Sequence, residues 1–177
     1  YYPNPCEEEI IGFSCDPCAD PEAGRIRHLA YIKNGFVFIN PEDPAEWQDG
    51  ITNGDIQIIP FVRGESDGGS DVVAPGYGDQ EERIVGRKFT LKVFDNRYKG
   101  NCTFWNAKRI SKSWRVAYVT DTLVHISDKI VTTKPKAPIK QELVQEIEYE
   151  IDIIFNQLND PCPFDKPEGI FDCFQLS

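Results

Sequence analysis

The segment Leu143–Phe155 constrains the fold of this chain more than any other, because it alternates apolar and acidic side chains. At a period of two, Tyr149, Ile151 and the other apolar residues share one face, and four carboxylates share the opposite face. A helical period would instead turn Tyr149 and Ile153 toward water. The β-branched and aromatic content also favours a strand. We therefore predict a half-buried β-strand over residues 143–155, with its acidic face toward water or a wide aqueous channel.

Other segments carry the same kind of signal. The sequence RIRHLAYI from Arg25 alternates, and the Asn34-Gly35 pair that follows is typical of a tight hairpin whose second strand is Phe36–Ile39. The prolines of Thr133–Ile139 interrupt a ladder, so this segment is predicted to be extended and unpaired. Pro60 places its own strand at an edge or a bulge. The other predicted strands are Asp55–Val62, Arg83–Asp95, Trp114–Thr120 and Thr122–Ile130.

Two short helices complete the pattern. Asp43 suits an N-cap, Pro44 the first helical position and Glu46 the reciprocal partner of a capping box, and we expect Gly50 to end this helix. The second predicted helix is Asn101–Lys112, because its apolar residues fall roughly on one side.

The two ends of the chain lack periodicity. Residues 1–24 hold three cysteines and four prolines, and residues 159–177 are also rich in proline, so both are predicted to be extended arms around a core domain of residues 25–158. The complete pattern predicts a mainly β fold: an antiparallel β-sandwich or barrel with one or two short helices, a long glycine-rich loop and extended N- and C-terminal arms.

The glycine-rich loop is Arg63–Asp79, which contains five glycines and a proline. A loop of this length inside a compact domain usually has a function. It is either a mobile contact with a neighbouring subunit or a disordered surface loop. The candidate residues for the subunit interface are Arg63, Gly64, Gly68, Gly69, Val72, Val73 and Tyr77.

The charge balance bears on partners. The chain has 19 Lys and Arg against 29 Asp and Glu, a formal net charge of -10, which disfavours tight binding of nucleic acid because that binding depends on basic residues. Basic residues cluster between Arg83 and Arg115, whereas 142–160 is strongly acidic. This separation suits either association of the chain with copies of itself or two differently charged solvated surfaces.

No run approaches the roughly 20 apolar residues of a membrane span, and the first residues lack a signal pattern, so we expect no membrane partner.

The cysteines leave three readings open. They form disulfides in the arms, bind zinc with three ligands from the N-terminal group and a fourth from elsewhere, or remain free thiols. The disulfide candidates are Cys6, Cys15, Cys18, Cys162 and Cys173.

Catalytic signals are weak. His28 and His125 lie on predicted strands without a recognisable nucleophile nearby, and we expect both to be buried and hydrogen-bonded. The chain carries no HExxH, GxSxG or phosphate-loop spacing. We therefore predict that the protein is not an enzyme and needs no metal or cofactor. A small hydrolase is a distant alternative.

The stretch from about Gly86 to Phe171 resembles virion structural proteins of tailed phages that infect Bacteroidetes, including the crAss-like group. The phrases that carry the resemblance are the FW of the second helix, RVAYVTDTLVHISDK, PKAPI and PFDKPEGIFD. The order of hairpins, long loop and helix is similar to tail-tube and tail-ring proteins, although the cysteine-rich N-terminal arm departs from the usual tube subunit.

The resemblance implies a subunit of homo-oligomeric rings or a tube, located in the virion, with neighbouring virion proteins as further partners. DNA would pass through the channel without specific binding, because an acidic lining repels phosphates. The candidates for that lining are Glu146, Glu148, Glu150 and Asp152. The alternative is a secreted or surface-exposed, disulfide-bonded binding module of the pilus or adhesin kind.

Overall fold

Ten strands in two antiparallel sheets and two short helices make up the described part of the computed structural model, which comprises residues 12, 13, 15 and 21–171. The prediction of a mainly β, antiparallel fold with two short helices is confirmed. The strands are β1 (His28–Lys33), β2 (Ile56–Ile59), β3 (Arg63–Ser66), β4 (Ser70–Ala74), β5 (Arg83–Asp95), β6 (Trp114–Val119), β7 (Leu123–Ile126), β8 (Thr132–Lys136), β9 (Tyr149–Gln157) and β10 (Phe164–Asp165). The helices are α1 (Pro44–Thr52) and α2 (Cys102–Ile110).

The two sheets differ in what covers them. One sheet has the strand order β10-β7-β6-β1-β2, and we call it the covered sheet. The other has the order β3-β5-β9-β8, with β4 also paired to β5, and we call it the open sheet. Their facing sides form one hydrophobic core, as in a sandwich. Its largest buried members include Leu29, Tyr31, Val116, Phe89, Leu91, Ile151, Ile153 and Phe155.

The second side of the covered sheet is also buried. A separate cluster forms there around Trp47 of α1, which packs on Phe38 with ring centroids 4.8 Å apart and on Phe171 at 5.5 Å. The predicted C-terminal arm, where the structure describes it, thus contributes Phe171 and strand β10 to the sandwich. The covered sheet is therefore the middle layer, and within the described residues the second side of the open sheet has no such cover.

The predicted hairpin of residues 25–39 is wrong. β1 pairs with β2 on one side and with β6 on the other, so no edge remains for Phe36–Ile39. The chain turns at Gly35, which has a φ of 102°, and then leaves the sheet. Phe36 and Phe38 cover the Trp47 cluster, and Arg115 donates a hydrogen bond to the carbonyl of Phe36. Burial of the two phenylalanines outweighs the hairpin signal of the Asn-Gly pair.

The glycine-rich segment is not a loop over residues 63–79 as predicted, because it forms β3 and β4. Both strands pair with the same edge of β5, one after the other. Asp67 bridges the gap: its carboxylate accepts from the backbone N–H of Gly69 at 2.9 Å and of Thr90 at 3.1 Å. Gly68 and Gly69 have φ values of 76° and 88°, a conformation that favours glycine. The glycines thus permit a kink in an edge strand.

The predicted long strand begins later than expected. β9 starts at Tyr149, and Leu143 and Val144 lie fully in solvent before it. The predicted faces are confirmed within β9, since Tyr149, Ile151 and the alternate residues after them are buried. Alternation continues N-terminal to Tyr149 in the sequence, but β5 ends at Asp95, opposite Tyr149, and offers no further partner.

The structure also differs from the sequence predictions at Pro135, Glu46 and Gly50. β8 pairs with β9 in spite of Pro135, because it is an edge strand and its second side needs no donor. α1 has the predicted cap, with Asp43 accepting from Ala45 N at 3.0 Å, but Glu46 accepts from the backbone of residues 39 and 40. Gly50 does not end this helix. It allows close contact with Ile56, whose Cδ1 lies 2.4 Å from where a Cβ would be.

Asp95 joins the two layers at the end of β5. Its carboxylate is buried and accepts from Arg97 Nε at 2.8 Å, Asn101 Nδ2 at 2.8 Å and Trp105 Nε1 at 3.0 Å. Arg97 then donates to the carbonyl of Pro60 at 2.7 Å. Burial by itself would raise the pKa of Asp95, but these hydrogen bonds outweigh burial and hold the pKa below its ordinary value.

We expect Asp95→Ala to lower the free energy of unfolding by about 3 kcal/mol or more, because the buried Trp105 donor and the partly buried donors of Arg97 and Asn101 lose their acceptor. In the wild-type protein, the free energy of unfolding should fall as the pH drops from about 4, the pKa of an unfolded aspartate, through the lower pKa of folded Asp95. Asp95→Asn should remove this pH dependence. Denaturant titrations between pH 2 and pH 7 measure both effects. The exposed Asp49→Ala is the matched control, and an equal effect of that change would contradict the role of Asp95.

Candidate assembly surfaces

The first candidate surface is a hairpin arm, residues 70–88, formed by β4 and the start of β5. β9 pairs with β5 only from Arg87 onward, so in the described structure residues 72–86 belong to a two-stranded extension of the open sheet, and residues 70, 71, 87 and 88 form its base. A two-stranded hairpin is marginally stable in water unless something packs against it. At its base, Arg87 contacts the carboxylates of Asp71, at 3.1 Å, and Asp160.

Apolar side chains are exposed along this arm. Val72 and Val73 are adjacent on β4, at the point where its register with β5 shifts, and they are 43% and 50% exposed. Exposed apolar groups gathered in this way are typical of an interaction surface. The exposed apolar residues of the arm are Val72, Val73, Tyr77, Ile84 and Val85.

The end of the arm is an acidic tip, residues 76–82. Gln80 N donates to the carbonyl of Tyr77 at 3.1 Å and closes a turn. A Cβ on Gly76 would lie 2.0 Å from the carbonyl oxygen of Gln80, so this close approach requires glycine. The tip exposes three carboxylates and one aromatic ring, those of Asp79, Glu81, Glu82 and Tyr77.

The seven predicted interface residues do not all lie on the hairpin arm. Val72, Val73 and Tyr77 lie exposed on the hairpin arm. Gly64 is buried, where its backbone bonds to Ile26 at 2.8 and 3.0 Å, so it does not lie on the surface. Of the remaining three, Arg63 is exposed on β3, and Gly68 and Gly69 form the kink between β3 and β4.

The second candidate surface is the solvent-facing side of the open sheet, where charges alternate across the strands. One row of register partners reads Glu65, Lys92, Asp152 and Lys134, and the next reads Arg63, Phe94, Glu150 and Lys136. Opposite charges on neighbouring strands attract, so these carboxylates do not form the bare like-charge ladder that the sequence alone suggests.

The four predicted lining residues do not share one strand. Glu146 and Glu148 precede β9, and Glu148 lies 3.3 Å from Arg63. Glu150 and Asp152 lie on β9 and face away from the core, and Glu150 lies 3.6 Å from Lys136.

The third candidate surface is a cavity of about 420 Å³ where the two sheets meet near the end of β5. We call it the arginine cavity, because three guanidinium groups line it. Its backbone is unusual. Arg25 and Phe61 have φ values of 88° and 56°, and residues other than glycine rarely adopt positive φ values. Strain of this kind collects at functional sites. The lining residues used below are Arg25, Arg27, Arg63, His28, Phe61 and Phe94, and two of the predicted lining residues of the channel, Glu146 and Glu148, also line this cavity.

His28 forms the buried wall of this cavity. Its Nδ1 accepts from the backbone N–H of Phe61 at 2.9 Å, so the ring is neutral with its proton on Nε2, and it stacks on Phe171 at 5.8 Å. Burial, followed by the charges of Lys166 and Arg27, lowers the pKa of His28 to about 4. The prediction of a buried, hydrogen-bonded histidine is confirmed here. His125 is half-buried and stacks on Tyr118 at 4.8 Å.

Among the described residues, the cysteines form no disulfide, and they do not join other side chains in a candidate metal site. Cys15, Cys102 and Cys162 are exposed free thiols there, and Cys6, Cys18 and Cys173 lie outside the described part of the chain. Over the same residues, no group of three or more His, Cys, Asp or Glu side chains could hold a metal ion. Neither α1 nor α2 is long and apolar enough to cross a membrane.

The chain was compared with protein-family models, with curated proteins and with solved structures, and none of them matches it.

The sequence pointed to the residues of the arm but not to the arginine cavity. The cavity combines residues from four separate segments, 25–28, 61–63, 94–96 and 146–148, which no local pattern connects. The only local signal was RIR, in which Arg25 and Arg27 flank a core isoleucine.

We expect the free energy of unfolding to fall by up to about 3 kcal/mol between pH 7 and pH 4 because of His28. Its folded pKa lies below the unfolded value of about 6.5, so between these values only the unfolded chain takes up the proton. His28→Asn keeps an acceptor for Phe61 N and should remove most of this dependence between pH 5 and 6.5. An unchanged slope in denaturant titrations of the variant would contradict this.

Proposed function

We propose that this protein is a structural subunit of a tailed-phage virion, which assembles with copies of itself into rings or a tube around a DNA channel. The observation that carries the proposal is the hairpin arm, a two-stranded extension that exposes five apolar side chains. Such an arm gains stability when a neighbouring molecule covers it. The resemblance of residues 86–171 to virion structural proteins of tailed phages is the second ground for this proposal.

The position of the arm favours assembly of many copies. The arm extends from one end of β5, and the arginine cavity lies at the other end. Different surfaces at opposite ends suit head-to-tail contacts, which close into rings or continue as stacks. Its neighbours would then include other virion proteins at the ends of the assembly.

We further propose that the open sheet faces the channel. Lys92, Lys134 and Lys136 alternate with Glu65, Asp152 and Glu150, so each of these three lysines has a carboxylate as a register partner. Phosphate binding depends on basic residues that are available to displace counterions. A surface with paired charges lets DNA pass without gripping it, and this refines the simple acidic lining that the sequence suggests.

Val73→Asp combined with Ile84→Asp should abolish assembly and leave the subunit folded. The two residues are partners on the arm and are 50% and 57% exposed, so the changes affect a surface that only a neighbour would bury. Negative-stain microscopy and native mass spectrometry measure assembly, and circular dichroism measures folding. Ile110→Asp, at a residue 81% exposed on α2, is the matched control and should assemble normally.

Two outcomes would count against the proposed function. A wild-type protein that stays monomeric at high concentration would favour the secreted or surface-exposed binding module instead. Rings formed equally well by the arm variant would show that assembly uses another surface.

Glu150→Gln combined with Asp152→Asn should create affinity for duplex DNA, because Lys92, Lys134 and Lys136 lose their carboxylate neighbours. We expect little binding by the wild-type assembly and salt-sensitive binding by the variant, measured by fluorescence anisotropy at several salt concentrations. Asp49→Asn with Glu142→Gln removes the same number of charges elsewhere and is the control. Equal binding by control and variant would mean that net charge alone, and not this face, controls contact with DNA.

A further inference from the structure

The arginine cavity lies too far from the acidic tip of its own subunit to receive it. β5 runs 13 residues from Arg83, beside the tip, to Asp95, beside the cavity. At about 3.3 Å per residue, these ends are about 40 Å apart. Any partner that the tip finds in a cavity of this kind must therefore belong to another copy.

The tip and the cavity complement each other in chemistry. The tip exposes the carboxylates of Asp79, Glu81 and Glu82 and the ring of Tyr77, which is 85% exposed. The cavity is lined by Arg25, Arg27 and Arg63, by the rings of Phe61 and Phe94, and also by the carboxylates of Glu146 and Glu148, so its arginines outnumber its carboxylates by one. Guanidinium groups bind carboxylates through paired hydrogen bonds, and aromatic rings pack on one another, so the tip offers both kinds of partner that the arginines and the rings of the cavity can bind.

We propose that the acidic tip of one subunit docks into the arginine cavity of the next. This inference rests on the proposed assembly function and names the contact that would build it. The ligand of the cavity is then the group of carboxylates on the acidic tip, supplied by a second copy of this chain.

The ion pairs that the cavity arginines form within one subunit are weak enough for a carboxylate of another subunit to replace them. Arg63 lies 3.3 Å from Glu148, and Arg27 lies 3.8 Å from Asp121. Both pairs are partly exposed, and pairs of this kind contribute little to stability. An incoming carboxylate that is held by the arm can therefore replace or share these partners. In the described part of the chain, no carboxylate lies within 4 Å of the Arg25 guanidinium.

The charges of both surfaces can be reversed to test the contact. One variant carries Glu81→Arg and Glu82→Arg in the tip, and the other carries Arg25→Glu and Arg63→Glu in the cavity. Each alone brings like charges together, so each should need at least a tenfold higher protein concentration to assemble. An equimolar mixture should assemble again, because the reversed tip fits the reversed cavity and the native tip fits the native cavity.

The controls separate this contact from general effects of charge. Lys112→Glu with Lys129→Glu changes two exposed cations elsewhere and should assemble as the wild type does. If the cavity variant loses its circular dichroism spectrum, Arg25→Gln alone replaces it and should raise the required concentration in the same direction. A cyclic peptide of residues 74–83 provides a second measurement. It should bind the monomeric Val73→Asp, Ile84→Asp protein at least tenfold more tightly than the same peptide with both glutamates changed to arginine.

The outcomes distinguish the inference from the function on which it rests. Wild-type rings together with normal assembly of both charge variants would overturn the docking contact and leave the assembly function standing. A mixture that stays unassembled, although each variant is folded, would also overturn the contact. A monomeric wild type would overturn the assembly function and this contact together.

Discussion

The pairing of β5 with β9 is the interaction on which the other features of the molecule depend. The two strands pair along all nine residues of β9, with Phe89 stacked on Phe155 at 5.0 Å on the core side. β5 is four residues longer than this ladder, and the excess becomes the base of the hairpin arm. The other end of the same ladder stops at Asp95, where the buried carboxylate fastens α2 and the β5–α2 loop.

Unequal covering of the two sheets gives the molecule its distinct surfaces. The covered sheet is buried on both sides, because α1 and the segments around Phe38 and Phe171 pack on its outer side. The open sheet keeps one side in solvent, and that side carries alternating charges that a protein interior would not tolerate without pairing. The apolar arm, the charged face and the arginine cavity are thus three separate surfaces, each suited to a different contact in an assembly.

The sequence pattern predicted the bounds or the inward face of a strand correctly where that strand pairs with a partner of matching length. It predicted wrongly where another strand or a free sheet edge determined whether the segment could pair. β5 was predicted with both ends correct, and the inward face of β9 was correct from Tyr149 onward. Phe36–Ile39 has the pattern of a strand, but β6 already occupies the edge that it would need. The glycines of Arg63–Asp79 indicate a loop, although the free edge of β5 pairs with two parts of this segment, Arg63–Ser66 and Ser70–Ala74.

The sequence by itself determined that this chain forms a mainly β fold, which residues of β9 face the core, and where a short helix begins at Pro44. These properties depend on periodicity and on capping, which act between residues close together in the chain. Only the tertiary structure decided which strands are neighbours, that lysines of β5 and β8 flank the carboxylates of β9, and that Arg25, Arg27 and Arg63 share one cavity. The physical reason is that such contacts join residues far apart in sequence, and their energies depend on which partners the closed sandwich brings together.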